Sequence, residues 1–424
     1  MKTDLTSLLK GRPDCPCGRP HNCAMQRVIL EPGAVKRIGE TASGWNHVLL
    51  VADSNTWSLC GQKAAKQLGG RLSDTLVYTS QGLLVPDEDA IRLLDSRVKP
   101  DTDLIVGIGS GVINDLCKYV SFTHGIDYFI VATAPSMDGY ASVHAAMIIG
   151  GMKITYPAHM VHTIIADTDL LKDAPMEMIQ SGYGDIIGKF SALNDWKLTS
   201  FLYGDYFCPE VYDLILEATR ETARLGPALV RRDPEAVRSL MEALIAVGIA
   251  MAWVGNSRPA SGSEHHLSHY FEVTGLLRHE PYFLHGLDVA YSTAVTARLR
   301  ERLLELPEVP DAAMIPEKVR LSELRRVYGT AADGILELQD RVGRYREDLP
   351  SRLRPVWDGI RAILSEVPGE EAVCGMLRDA GIDLAAFPAM YDERKRRDAL
   401  LWAKDLKDRF TVLWIWYALQ DAVK

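Results

Sequence analysis

The chain has 424 residues, 47% of them hydrophobic, and a formal net charge of −9 at pH 7. A chain this long most often forms two domains, and its acidic balance argues against nucleic acid or an anionic membrane as the main partner. No apolar run reaches the roughly 20 residues of a membrane span. The N-terminal MKTDLTSLLKGRPD has no signal-peptide core, and seven cysteines are an odd number for a disulfide framework, so the cytoplasm is the expected location.

In chain order, DCPCGRPHNC (14–23) comes first. Cys15, Cys17, Cys23 and His21 are ligand types for a structural zinc. The C-x-C and H-x-C spacings are tighter than the usual C-x₂-C, however, and no second half follows. The segment reads as a turn carrying reduced cysteines. From residue 47 the pattern becomes regular. HVLLVAD (47–53) is a short apolar run expected of a strand buried on both faces. A helical stretch, NTWSLCGQKAAKQLGG, ends at Gly69-Gly70. TLVYTS (75–80) is a second strand, and PDEDAIRLLDSRV a second helix with acidic residues in its first turn. DLIVGIGSG (103–111) runs into the helix VINDLCKYVSFTHG. YFIVATAPS (128–136) is a strand, AMIIGGMKITYP (146–157) a hairpin around Gly150-Gly151, and HTIIAD (162–167) a last strand. Strands alternating with helices predict an α/β domain with a largely parallel sheet.

Helical patterns then take over, at 184–201, 209–226, 234–256, 262–276, 284–305 and onward. The expected division is an α/β domain over 1–172 and an all-helical domain over 173–424. ERKRRDALLWAKDLKDRF, near the C-terminus, reads as a solvated helix face.

Three segments carry chemistry. GIGSGVIND (107–115) places Gly107, Gly109 and Gly111 between a buried strand and a helix start. Backbone N–H groups there can approach a pyrophosphate, although a purely structural turn has the same composition. Asp53 closes the earlier strand, where a carboxylate can bind an adenosine ribose or cap the next helix. ATAPSMDGYAS (132–142) sets Thr133, Ser136, Asp138 and Ser142 at a strand's C-terminal end, where open α/β sheets bind ligands. In SGSEHHLSHYFE (261–272), His265 and His269 share one helix face as an i,i+4 pair. His285 and Asp185 begin other helical segments. One carboxylate and two imidazoles with an open position suit zinc, nickel or ferrous iron, unless the histidines are spread over separate helices.

These pieces together resemble the bacterial and archaeal sn-glycerol-1-phosphate dehydrogenases, within the group that includes glycerol dehydrogenase, iron-containing alcohol dehydrogenases and 3-dehydroquinate synthase. The likeness rests on GSGVIND, TAPSMDGYAS, GYGDIIGKFSALNDWKL, SGSEHHLSHYF and LHGLDVA, and runs to about residue 300. It implies a Rossmann-like α/β domain followed by an all-α domain, the dehydroquinate synthase-like fold. It also implies metal-dependent, reversible reduction of dihydroxyacetone phosphate to sn-glycerol 1-phosphate by NADH or NADPH, in a cytoplasmic homodimer using Zn²⁺ or Ni²⁺. By resemblance, Asp185, His265 and His285 bind the metal, and Asp185, His269 and Asp138 contact substrate. Asp53, Gly111, Val112, Ile113, Asn114, Asp115, Thr133, Ala134, Pro135, Ser136 and Ser142 match cofactor positions. His266 is left as a bystander facing a neighbouring helix. His269, or Asp138 through a water or the substrate hydroxyl, would carry the proton. The substrate phosphate needs donors, and Lys189, one helical turn past Asp185, is a candidate, although a solvated lysine is its plainer reading. The rivals are a glycerol dehydrogenase, a dehydroquinate synthase-like lyase, and a binding protein with a degenerate site.

Overall fold

The computed structural model of the protein describes residues 4–79, 84–150, 152–312 and 314–422. The chain forms two compact units, each built from two stretches: Met1–Gly182 with Pro227–Ser257, and Tyr183–Gly226 with Arg258–Lys424. This differs from a single division after residue 172, because the helix Pro234–Val254 packs with the first unit. That helix also corrects the expectation about membrane spans. By length and composition it is apolar enough to cross a membrane, but 83% of its most apolar window is buried, as in a core helix.

The first unit holds the strands. They are β1 (Arg27–Glu31), β2 (Val48–Asp53), β3 (Leu72–Tyr78), β4 (Leu104–Gly109), β5 (Asp127–Ala132), β6 (His144–Ile149), β7 (Met152–Pro157) and β8 (Thr163–Asp167). Six form one sheet in the order β1-β8-β5-β4-β2-β3, with every pairing parallel. β6 and β7 pair antiparallel, as the hairpin expectation required; its Gly151, like Ser80 of the expected strand at 75–80, lies outside the described residues. β1 is absent from the sequence reading. RVILE is a short edge strand, and its three apolar residues show no alternation to give it away.

In β2, β4 and β5 the residues pointing to both faces are buried, among them Leu49, Leu50, Val51, Ile105, Val106, Phe129 and Ile130. Parallel sheets covered on both sides produce such unbroken apolar runs. The chain passes from β2 outward to β3, then back across β2 to β4, so the winding reverses between β2 and β4. The C-terminal ends of those two strands are where doubly wound sheets form a ligand crevice. Asp53 ends β2, and Gly109 ends β4 opposite Ala132 of β5.

The second unit is helical. The expected helix at 184–201 is two helices, Met176–Ile187 and Lys189–Tyr203, separated at Gly188. The stretch beyond residue 305 is not a separate tail. Trp357, Ile360, Phe410, Val412, Trp414 and Ile415 pack with Leu198 and Leu303 in one core cluster. Nor is the charged segment near the C-terminus simply solvated: Lys395, Asp398, Lys404 and Asp405 are buried.

Candidate metal centre

Asp185 lies near the end of the helix Met176–Ile187, flanked by Gly184 and Gly188. These two glycines explain how three helices reach one point. A Cβ at 184 would run into the Gly286 carbonyl and Ala290, and one at 188 would sit 2.5 Å from Val289 Cγ1 and 3.4 Å from Glu264 Cγ. Glycine therefore lets the Asp185 segment close on the helices His285–Leu304 and Ser263–Arg278. The result is a compact donor set. One ligand atom each from Asp185, His265 and His285 lies within 4.8 Å of the others.

The orientation of His265 follows from its neighbour. His265 Nδ1 lies 2.7 Å from Glu264 Oε1, and Nε2 lies 3.6 Å from Asp185 Oδ1. A carboxylate can only accept, so Nδ1–H donates to Glu264 and Nε2 keeps its lone pair toward Asp185. Glu264 Oε1 also accepts from the Gly262 N–H at 2.8 Å. Burial, then the Lys189 charge, hold the His265 pKa well below its ordinary value, so the imidazole is neutral. Burial works to raise the pKa of Asp185, but the neighbouring Lys189 ammonium outweighs it and holds the carboxyl below its ordinary value. A neutral imidazole beside an ionised carboxylate is the protonation state a cation requires.

Lys189 does not match its expected role. It is fully buried, with Nζ 2.6 Å from Asp185 Oδ1 and 3.0 Å from the Ala260 carbonyl. One helical turn after Asp185, it neutralises that carboxylate rather than standing in solvent to meet a phosphate. His269 is half-buried. Its ring centroid lies 5.4 Å from that of His285 and 6.1 Å from that of His265, and Nδ1 lies 3.9 Å from Glu272 Oε2. His266 is fully buried, away from the donor set, and neither ring nitrogen has a hydrogen-bond partner among the described residues.

In the first unit, the segments expected at a cofactor lie at adjacent strand ends. The helix Gly111–His124 starts after β4, and its N-cap, Ser110, makes no side-chain cap hydrogen bond. Its first-turn N–H groups and dipole thus face a position that suits a phosphate group. Gly107 and Gly109 serve packing here: a Cβ on the first would lie 2.9 Å from Cys117 Sγ, and on the second 2.6 Å from Ile113 Cβ. Thr133, Ser136, Asp138 and Ser142 follow β5 and are buried. The end of this loop is held by Lys118, which sequence reasoning passed over. Its Nζ donates to the Gly139 carbonyl (2.6 Å), Ser142 Oγ (3.0 Å) and the His144 carbonyl (3.1 Å). Burial lowers the Lys118 pKa to about 8, despite Asp115 and Asp138. Asp115 Oδ1 accepts from Asn114 Nδ2 and its Oδ2 from the Ala146 N–H. Asp53 caps the helix that follows β2, accepting from the N–H groups of Asn55 and Thr56.

Comparison with known proteins decides the family. A glycerol-1-phosphate dehydrogenase (NAD(P)+) of Halalkalibacterium halodurans is 31% identical over 420 residues, covering 97% of this chain and 96% of its own. The chain belongs to the glycerol-1-phosphate dehydrogenase family. Another such enzyme, from Saccharolobus solfataricus, is 36% identical over 246 residues, 56% of this chain and 68% of that one. A family model described as iron-containing alcohol dehydrogenase matches residues 29–175. The solved iron-containing alcohol dehydrogenase of Thermococcus thioreducens shares the fold, with a TM-score of 0.59 at 17% identity over 90% of each chain. An α/β unit with a parallel sheet and a helical unit are thus the architecture of this dehydrogenase family.

Proposed function

We propose that the protein interconverts dihydroxyacetone phosphate and sn-glycerol 1-phosphate, using NAD(H) or NADP(H) and one divalent metal. The convergence of Asp185, His265 and His285 carries the reading. Relatives named glycerol-1-phosphate dehydrogenase that match nearly the whole chain supply the substrate and cofactor class. Asp185, His265 and His285 would hold the ion. An O, N, N donor set with an open position suits Zn²⁺ or Ni²⁺. When bound, the metal supplies a Lewis acid for the substrate oxygen and the nicotinamide exchanges the hydride.

The chain's own residues do the rest. Glu264 fixes the His265 ring so that Nε2 faces Asp185. His269 stands beside the donor set without joining it, placed to hold or pass the hydroxyl proton. On the first unit we assign Gly111 to Asp115, Thr133 to Ser136, Ser142 and Asp53 to the dinucleotide, and Asp138 to substrate. The uncapped start of the helix Gly111–His124 supports the pyrophosphate assignment. A cytoplasmic homodimer completes the proposal.

The test is NADH oxidation by chelator-treated protein, with Zn²⁺ or Ni²⁺ returned, offering dihydroxyacetone phosphate or dihydroxyacetone. Metal-dependent turnover of the phosphorylated ketone is expected. Preference for unphosphorylated dihydroxyacetone would make the protein a glycerol dehydrogenase instead.

A further inference from the structure

Away from Asp185, the first unit brings three further metal-binding side chains together, Cys15, Cys17 and His21. We propose that the turn at residues 15–21 is a structural zinc site with Cys15 Sγ, Cys17 Sγ and His21 Nε2 as ligands. One ligand atom of each lies within 4.8 Å of the others. Cys17 Sγ is 3.4 Å from His21 Nε2. Zinc bonds of about 2.3 Å to sulfur and 2.0–2.1 Å to nitrogen at a tetrahedral angle would put those two atoms about 3.5 Å apart. The separation already matches.

His21 is prepared for ligation in the manner of a metal-bound imidazole. It is buried, and its Nδ1 lies 3.0 Å from the Trp253 carbonyl. A carbonyl only accepts, so Nδ1 carries the proton and Nε2 presents its lone pair toward Cys17. The backbone holds the turn closed. Arg12 and His21 exchange two hydrogen bonds, Arg12 N–H to His21 O at 2.7 Å and His21 N–H to Arg12 O at 3.0 Å. The Gly18 N–H reaches the Cys15 carbonyl at 3.0 Å. Gly18 has φ +80°, a left-handed value that lets the chain reverse between Cys17 and His21.

Cys23, a ligand candidate by sequence alone, is not one here. Its sulfur packs 4.0 Å from Met160 Sδ, and burial raises its thiol pKa. Cys15, Cys17 and His21 are the donors that the turn itself supplies. Because all three come from one short turn, and His21 is tied to Trp253 in the helix Pro234–Val254, the ion would fasten the N-terminal segment to that helix. Binding would release the thiol protons. Sulfur ligands distinguish this site chemically from the oxygen and nitrogen donors around Asp185.

Full-length protein stripped by chelator and titrated with Zn²⁺ alone should bind two equivalents per chain. Cys15→Ser/Cys17→Ser and His21→Ala should each bind one, and Cys23→Ser should bind two. With Co²⁺ in place of zinc, wild type and Cys23→Ser should show sulfur-to-cobalt charge transfer in the near ultraviolet, and Cys15→Ser/Cys17→Ser should not. A single equivalent in wild type, or two in the double variant, overturns the site. Should the double variant not fold, the wild-type cobalt spectrum decides: absence of the charge-transfer band also overturns it.

Discussion

The two units place their charges differently. In the first, the sheet interior is apolar on both faces, and the polar groups singled out for ligand binding sit on loops where strands end. In the second, ion pairs run through the helical interior: Asp185 with Lys189, Asp195 with Arg300, and Lys404 with Asp405, each partner at most 3% exposed. Buried charge is expensive unless fully paired, so an interior of this kind must be matched residue by residue. Arg300 shows how closely. It donates to Asn194 Oδ1 and Asp195 Oδ1, and Asp195 in turn accepts from the N–H groups of Ser263 and Val412. The helix that carries His265 therefore begins on a buried carboxylate. The proposed dinucleotide contacts of the first unit rest on backbone geometry, whereas the proposed metal ligands of the second grow from the network that holds the helices together.

If that contrast is right, the largest losses come from the second unit. His265→Ala should lose metal and, with several kcal/mol of Lewis-acid assistance gone, activity by about 10³-fold or more. His266→Ala, away from the donor set, should keep metal and most activity while losing some stability. His269→Ala should keep metal and lose about 10²–10⁴-fold in turnover if it handles the proton. Metal analysis beside steady-state kinetics reads all three, and equal loss of metal at 265 and 266 would sink the assignment.

Lys404 tests the buried network away from the metal. Its Nζ donates to Asp405 Oδ2 and Tyr345 Oη, both at 2.7 Å, and lies 3.8 Å from the centre of the Tyr417 ring. Lys404→Met should cost about 3–5 kcal/mol, because Asp405 is left buried without its counter-charge. The effect depends on pH. Burial lowers the Lys404 pKa from 10.5 to about 8, against the pull of Asp405. Between about pH 8 and 10.5 the native state has released this proton and the unfolded chain still holds it. Wild type therefore gains stability relative to the variant as pH rises through that window. Denaturant midpoints at pH 7 and pH 10 measure it; a gap that narrows toward pH 10 contradicts the expectation.

Glu264→Gln should act more gently. The amide can still accept from Nδ1–H of His265, but without charge, so metal affinity should fall about 10–100-fold with turnover of the fully loaded enzyme little changed. Unaltered affinity would show that packing alone sets the ring.

What could be read from the sequence divides along the same line. The strands of the sheet, the hairpin and the glycine turn announce themselves locally, through apolar runs and punctuation that need no partner. The His265, His269 and His285 set was visible as spacing, but its union with Asp185 depends on Gly184 and Gly188, whose meaning appears only once a neighbouring helix fills the space each Cβ would occupy. A signal did exist: two glycines four apart around an aspartate mark one flat helix face. Glu264 was passed over, Lys404 was read as part of a solvated face, and Lys189 was read as a phosphate donor. The i,i+4 spacing of Asp185 and Lys189 and the adjacency of Glu264 to His265 and of Lys404 to Asp405 are legible, but their burial is set by helices far along the chain.

The smallest effect belongs to the first unit and separates two roles of one residue. Asp53 Oδ1 accepts from the N–H groups of Asn55 (2.9 Å) and Thr56 (2.8 Å), while the Asp53 N–H donates to Thr56 Oγ1 (3.1 Å), a reciprocal capping box. Asp53→Ala should therefore cost about 1 kcal/mol through the lost cap alone, whatever the cofactor does. If the carboxylate also meets the adenosine ribose, its charge disfavours a 2′-phosphate, and wild type should prefer NADH to NADPH. Asp53→Asn isolates that second role. Asparagine caps a helix about as well as aspartate, so stability should stay within a few tenths of a kcal/mol while the preference for NADH narrows. Thermal midpoints report the cap and the ratio of kcat/KM for the two cofactors reports the ribose contact. Should Asp53→Asn leave that ratio unchanged, the carboxylate at the end of β2 is a helix cap and nothing more.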